Sequence, residues 1–395
     1  MTSHHRHQAS LEQVLDFSSP PSLTPDELAR ANRIFSQLLN HCEPLQKNKP
    51  YRKVTLVRLM HEHARSKEIF LLQFFLYLGT QTCPEDQGPS SVSDGLSRFS
   101  GFDPTSTNDQ KKDAERAIDS FAEHIFDNFF LPLKASGQKT PQPTPAALSA
   151  PALENVTGTP ARISTLRRDC LIRDHHRCVA TRAFDREEAK KRSQRDGSNS
   201  KDDEGQPLIH ARGSLARLEV AHIIPHSLTS LGDQLQLSES KKSALAILNM
   251  FDPGIIHEID GPNIDRPSNA ITLTHEAHGL FGNFEIYLEP MDSTIYPPHT
   301  YKIDSTETDT LLYPPWLPVT RTLHLSPNHT IDPPSGRLLG IHRACATILH
   351  LSGAGEHIDE ILRDREEVCV RSDGSAQLAH LVSLKLGGWF DGVAV

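Results

Sequence analysis

Two blocks constrain this chain more than anything else in its 395 residues. One is Leu218-Glu219-Val220-Ala221-His222-Ile223-Ile224-Pro225; the other runs from Pro267 through Asn269 and Thr274 to His278. The first is apolar and β-branched enough to predict a strand over 218–224, ended by a proline that cannot donate to a ladder. The second opens on turn chemistry at Pro267-Ser268-Asn269 and continues into a strand-length run over 270–273. Thr274 then stands as the N-cap of a helix, in a segment that resembles a capping box. The expected order is strand, turn, strand, helix. It places His222 at a strand end, Asn269 at the start of the second strand and His278 about one turn into the helix. An imidazole with its ordinary pKa of about 6.5 is largely neutral at cellular pH, so His222 is a candidate to take a proton from water. His278 is a candidate nitrogen ligand for a divalent ion.

With 22 histidines in the chain, any single one is more often a satisfied core or surface residue. Weight comes from the joint pattern: a histidine before a strand-ending proline, a turn asparagine, and a helix histidine further on. The net charge of -9 is not that of a nucleic-acid binder as a whole, but phosphate contacts need only a local basic surface. One such cluster precedes the His222 strand, with Arg162, Arg167, Arg168, Arg173, Arg177 and Arg182 against Asp169 and Asp174. From it, Arg167, Arg168, Arg173 and Arg177 are the candidate contacts to backbone phosphates, the alternative being an ordinary solvated helix face.

Over about 162–290 the chain resembles the HNH domain of a large group of fungal proteins, and more broadly the ββα-metal nucleases. The residues that carry the resemblance are Arg173-Asp174-His175-His176-Arg177-Cys178-Val179-Ala180-Thr181, Ala221-His222-Ile223-Ile224-Pro225, Asn263-Ile264-Asp265 with Pro267-Ser268-Asn269, and His278-Gly279-Leu280-Phe281-Gly282. The resemblance implies that His222 is the general base, that Asn269 ties down the loop and orients that base, and that His278 is a metal ligand. It implies a single divalent ion, magnesium or manganese ahead of zinc or nickel, DNA as the partner, and no small-molecule cofactor. One position departs from the pattern. Where these nucleases usually carry an Asp or His ligand just before the base, this chain has Ala221. Glu219, on the same strand face by the period-two rule, and His275, nearly one turn before His278, are the candidate substitutes. Water and phosphate oxygens could equally complete the sphere. The other outcome is a degenerate site, a DNA-binding or protein-interaction module that retains the scaffold.

Length allows two or three domains, and 37% hydrophobic content supports real cores, while 28 prolines argue for substantial loop. The expected organisation is a disordered start over 1–19, a helical module over 20–135, a Pro/Thr-rich linker over 136–160, the nuclease-like segment over 161–290 and an extension over 291–395. The fold class expected is α+β, a central ββα unit with helices before it and an α+β tail after it. Helix signals in the module include the capping box Thr24-Pro25-Asp26-Glu27, the apolar run Ile69 to Leu78, and the periodic stretch Asp109 to Leu131. The charged stretch 186–217 is expected as a low-order exposed insertion. Helices are expected over 338–351 and 356–365. The six cysteines form no CxxC, which argues against a zinc knuckle and fits a reducing intracellular compartment, nuclear or cytoplasmic. No run approaches the roughly 20 apolar residues needed to span a bilayer.

Overall fold

Before the central segment the chain is helical. A computed structural model describes residues 22–81, 91–137, 160–211, 213–230, 237–326, 330–366 and 377–389. The expected disordered start and most of the expected linker lie outside these residues. Helix α1 (Pro25–Cys42) begins as the sequence predicts: Thr24 and Glu27 form a reciprocal capping box and Pro25 takes the first turn. There follow α2 (Lys53–His63), α3 (Lys67–Thr80), α4 (Val92–Arg98) and α5 (Asn108–Ile125). The apolar run Ile69 to Leu78 lies in α3, with Phe70, Phe74 and Phe75 fully buried. From α5 the chain passes through a π-helical turn (Phe126–Phe130) into α6 (Leu131–Gly137).

Next come α7 (Pro160–Arg173), β1 (Phe184–Asp185), α8 (Arg186–Asp196), β2 (Leu215–Ala216) and β3 (Leu218–His222). After α9 (Glu239–Phe251), strand β4 (Ala270–Thr274) leads directly into α10 (His275–Gly282). The predicted strand–strand–helix order is therefore present. Strands β3 and β4 pair antiparallel from Leu218↔Thr274 to His222↔Ala270. Thr274 caps α10 by accepting from the Ala277 amide; the capping box is incomplete, because the reciprocal position is an alanine.

The charged stretch 186–217 is not the low-order insertion expected. Residues 186–196 form α8, which needs little apolar surface because its ends and flank are electrostatically satisfied. Asp185 caps it, Glu187 and Glu188 sit in the first turn, Arg195 is in the last, and Glu188 pairs with Arg192 four residues on.

The tail adds β5 (Ile286–Pro290), β6 (Thr300–Ser305) and β7 (Val319–Thr322), one antiparallel sheet in that order. It then forms α11 (Gly336–Ser352), α12 (Ala354–Glu366) and α13 (Gln377–Leu386), the first two at the expected places. The architecture is α+β, with a ββα unit in the middle of the chain. One hydrophobic cluster runs from Leu23 to Trp389, so the early helices, the central unit and the late helices share a core. The contact is close enough to need glycine: a Cβ on Gly137 in α6 would overlap the carbonyl oxygen of Gly282 at the end of α10. Among the described residues, no helix is long and apolar enough to cross a membrane.

Helix α10 is clamped to α11 by His342, which stacks on Phe281 at 3.8 Å and donates from Nε2 to the Phe281 carbonyl at 2.9 Å. Burial pushes its pKa down to about 3, only partly opposed by that hydrogen bond. The folded state therefore disfavours the protonated ring. The stability this neutral imidazole contributes is complete above the unfolded value near 6.5 and is lost as pH falls toward 3. At pH 5 the loss should be about 2 kcal/mol. Urea unfolding across pH 7 to 4 measures it, and His342→Phe should flatten that dependence; an unchanged slope in the variant would assign the acid sensitivity elsewhere.

Candidate active site

The alternation of β3 separates its side chains into two sets. Val220 packs with Ala270 of β4 and with Leu166 and Cys170 of α7, whereas Ala221 joins the main core. His222 belongs by register to the Val220 face, and Glu219 to the Ala221 face, which looks toward α10.

At the strand end, the His222 side chain is almost fully buried, with Nε2 3.2 Å from Asp265 Oδ1. A carboxylate only accepts, so Nε2 is the donating nitrogen, which leaves Nδ1 as the one that can take up a proton. Arg162 Nη2 lies 3.9 Å from the other Asp265 oxygen. Asn269, fully buried, fixes this end of the hairpin: its Oδ1 accepts from the Ile224 amide at 2.9 Å, and its Nδ2 donates to the carbonyls of Ile224 (3.0 Å) and Ile264 (2.9 Å). One asparagine thus ties the chain after His222 to the segment that presents Asp265.

On the other face, Glu219 reaches two imidazoles of α10. Its Oε2 is 2.7 Å from His278 Nδ1 and its Oε1 is 2.9 Å from His275 Nδ1. The hydrogen bond from His278, with that from His275, holds Glu219 down to about 2 against the opposing effect of burial. With Nδ1 as donor, Nε2 becomes the lone-pair nitrogen of His278, the arrangement in which a carboxylate fixes a metal-ligating histidine from behind. His278 is buried; His275 is 87% exposed at the side chain.

His222 and His278 thus belong to two carboxylate–imidazole groups, one on each face of β3, and not to one shared cleft. Nor do Glu219, His275 and His278 bring three ligand atoms together as a ligand set; among the described residues, the one His/Cys/Asp/Glu group of three that does is elsewhere.

The arginines divide. Arg168 is exposed on α7 and pairs with Asp169, and Arg167 is half-buried beside it. Arg173 is corrected: it is wholly buried, bidentate to Asp174 at 2.8 and 2.9 Å, and donates to the carbonyls of Pro267, Ala270 and Asp332. It cannot meet a phosphate; it props the turn that carries Asn269. Arg177 is also spoken for, held by Asp202 at 2.6 Å and the Arg182 carbonyl. Cys178 is buried, and its sulfur accepts from the amides of Thr181 and Thr274.

The HNH endonuclease family model matches residues 178–289. The chain carries an HNH domain. No curated protein and no solved structure matches the chain. The match spans β3, β4 and α10 and leaves α7, with Arg167 and Arg168, before its start. Asp265 is the site residue that the sequence reading passed over. It lies within Asn263-Ile264-Asp265, a block with a visible resemblance but no assigned chemistry, and only the fold puts it against His222.

Proposed function

We propose that the HNH domain is a metal-dependent endonuclease that hydrolyses phosphodiester bonds in DNA. The observation that carries this reading is the buried His222, aimed by Asp265 and standing on a hairpin end that Asn269 locks. In the reaction, His222 Nδ1 takes a proton from the water that attacks phosphorus, and Asp265 steadies the imidazolium that forms. Asn269 and Arg173 keep the turn rigid, so the base does not drift from the attacking water. Arg167 and Arg168 meet the phosphate backbone.

One imidazole nitrogen in a sphere otherwise made of water and phosphate oxygens suits one divalent ion, magnesium or manganese while oxygens dominate the sphere, zinc or nickel where the nitrogen does. His278 would hold it through Nε2, with Glu219 fixing the ring and oxygens of water and phosphate filling the remaining positions. Because this group stands on the face of β3 opposite His222, both serve one phosphate only if the end of β3 shifts when DNA binds; an ion held there would neutralise charge developing on the leaving oxygen.

Supercoiled plasmid incubated with magnesium, manganese, nickel or zinc tests the reading: relaxed circles should accumulate with at least one of them. Ala221 supports a second reading, a DNA-binding module without hydrolytic power, which would retard DNA in gels yet nick none with any ion. For the metal itself, Glu219→Gln should weaken manganese binding about 10- to 100-fold in calorimetric titration, because the amide no longer anchors His278 as a charged acceptor. Wild-type affinity in that variant would remove Glu219 from the centre.

A further inference from the structure

A second group of ligating side chains lies away from His222 and His278. His175 and His176 follow α7 with φ of 55° and 54°, consecutive residues in the left-handed region that non-glycine residues rarely occupy. The two rings find separate partners. His176 Nδ1 goes to Asp203 at 3.0 Å, while His175 lies against His324, ring centroids 4.2 Å apart. Glu204 completes the group, with Oε1 3.5 Å from His324 Nε2. One ligand atom from each of His175, Glu204 and His324 falls within 4.8 Å of the other two.

Each member is rooted. The turn bearing Glu204 is closed by Asp202, whose Oδ1 accepts from the amides of Glu204 and Gln206, and Asp202 is itself gripped by Arg177. His324 follows Leu323, which is buried and donates its amide to the His299 carbonyl. His175 Nδ1 is buried and has no hydrogen-bond partner among the described residues. Glu204, exposed, leaves a way in from solvent.

We propose that His175, Glu204 and His324 bind a transition-metal dication of the zinc type, distinct from the ion of the HNH centre, and that it pins the 186–217 segment to the chain leaving β7. Two imidazole nitrogens and one carboxylate oxygen are donors for zinc, nickel or copper rather than for magnesium, which prefers oxygen alone. Zinc–nitrogen distances of about 2.0–2.1 Å place tetrahedral ligand atoms roughly 3.4 Å apart, so binding needs only a modest inward turn of the stacked rings. The Glu204 and His324 atoms are already near that spacing. The ion would join residues far apart in sequence, and its binding energy would add to the hold on a charged segment that has little core of its own.

Zinc titration of the full-length protein in excess magnesium, followed by calorimetry, tests this. One zinc equivalent is expected in the wild type and in His278→Ala, with zinc protecting residues 186–217 from limited proteolysis. Glu204→Gln and His324→Gln should each weaken that equivalent at least about tenfold and abolish the protection. Because Glu204 is exposed, its glutamine variant should fold as the wild type does. No zinc bound by the wild type, an equivalent untouched by both glutamine variants, or one lost only in His278→Ala would each overturn the site. None of these outcomes depends on cleavage activity.

Discussion

Replacing His222 with alanine is expected to slow metal-dependent cleavage about 100- to 10,000-fold, the usual cost of losing a general base. DNA affinity should change little, because phosphate contacts in this reading come from α7. The substitution also deletes a buried ring, so unfolding of the variant must be followed alongside; a folded protein with a lost rate assigns the effect to chemistry. Asp265→Asn is the companion. Its amide oxygen can still accept from His222 Nε2 at the position where Asp265 Oδ1 now stands 3.2 Å away, so the ring remains aimed while the charge that stabilises the imidazolium is lost. An intermediate rate is expected. Single-turnover plasmid cleavage at saturating manganese reads both, and wild-type rates in His222→Ala would take His222 out of the mechanism.

The parts of this molecule that were legible in sequence are those fixed by local chemistry. Thr24 with Glu27, the proline after the His222 strand, and Thr274 before α10 each act within a few residues, and each marks an element boundary close to the observed one. The existence of β3 and β4 followed from two apolar runs, although their pairing joins residues about fifty positions apart. What failed needed distant partners. Arg173 has the look of a solvated basic cluster until three carbonyls, each more than 90 residues away, close around it. Asp265 gains its meaning only against His222, 43 positions earlier. Residues 186–196 carry no apolar face, so periodicity is blind to a helix held by its cap and by an i,i+4 ion pair. Glu219 was legible as a residue on the strand face of Ala221, because strand alternation is local; that this face meets α10 and that Glu219 grips both histidines was not.

Arg173→Ala should be the most damaging single change to the fold, costing about 3–5 kcal/mol, because it strips a buried charge of its partner. Asp174 would stay behind with its Oδ1 unaccompanied and its Oδ2 held only by the Thr272 amide. The carbonyls of Pro267, Ala270 and Asp332 would each lose the donor that Arg173 supplies, Pro267 keeping the Ala270 amide. Arg173→Lys should recover only part of the loss, since one ammonium cannot reproduce a planar fork that reaches a carboxylate and three carbonyls. Replacing both Arg173 and Asp174 with leucine should cost less than Arg173→Ala alone, the signature of an uncompensated charge rather than of a missing contact. Urea unfolding midpoints for the three variants measure the series. A phosphate-contacting arginine would behave otherwise: Arg173→Ala would keep its unfolding midpoint, bind DNA more weakly and show a shallower salt dependence. The turn that carries Asn269 hangs on the same guanidinium, so destabilisation by Arg173→Ala should reach the catalytic hairpin before it reaches the distant helices. Amide exchange at Ile224 and Ala270, faster in the variant than at Phe74, would register that order.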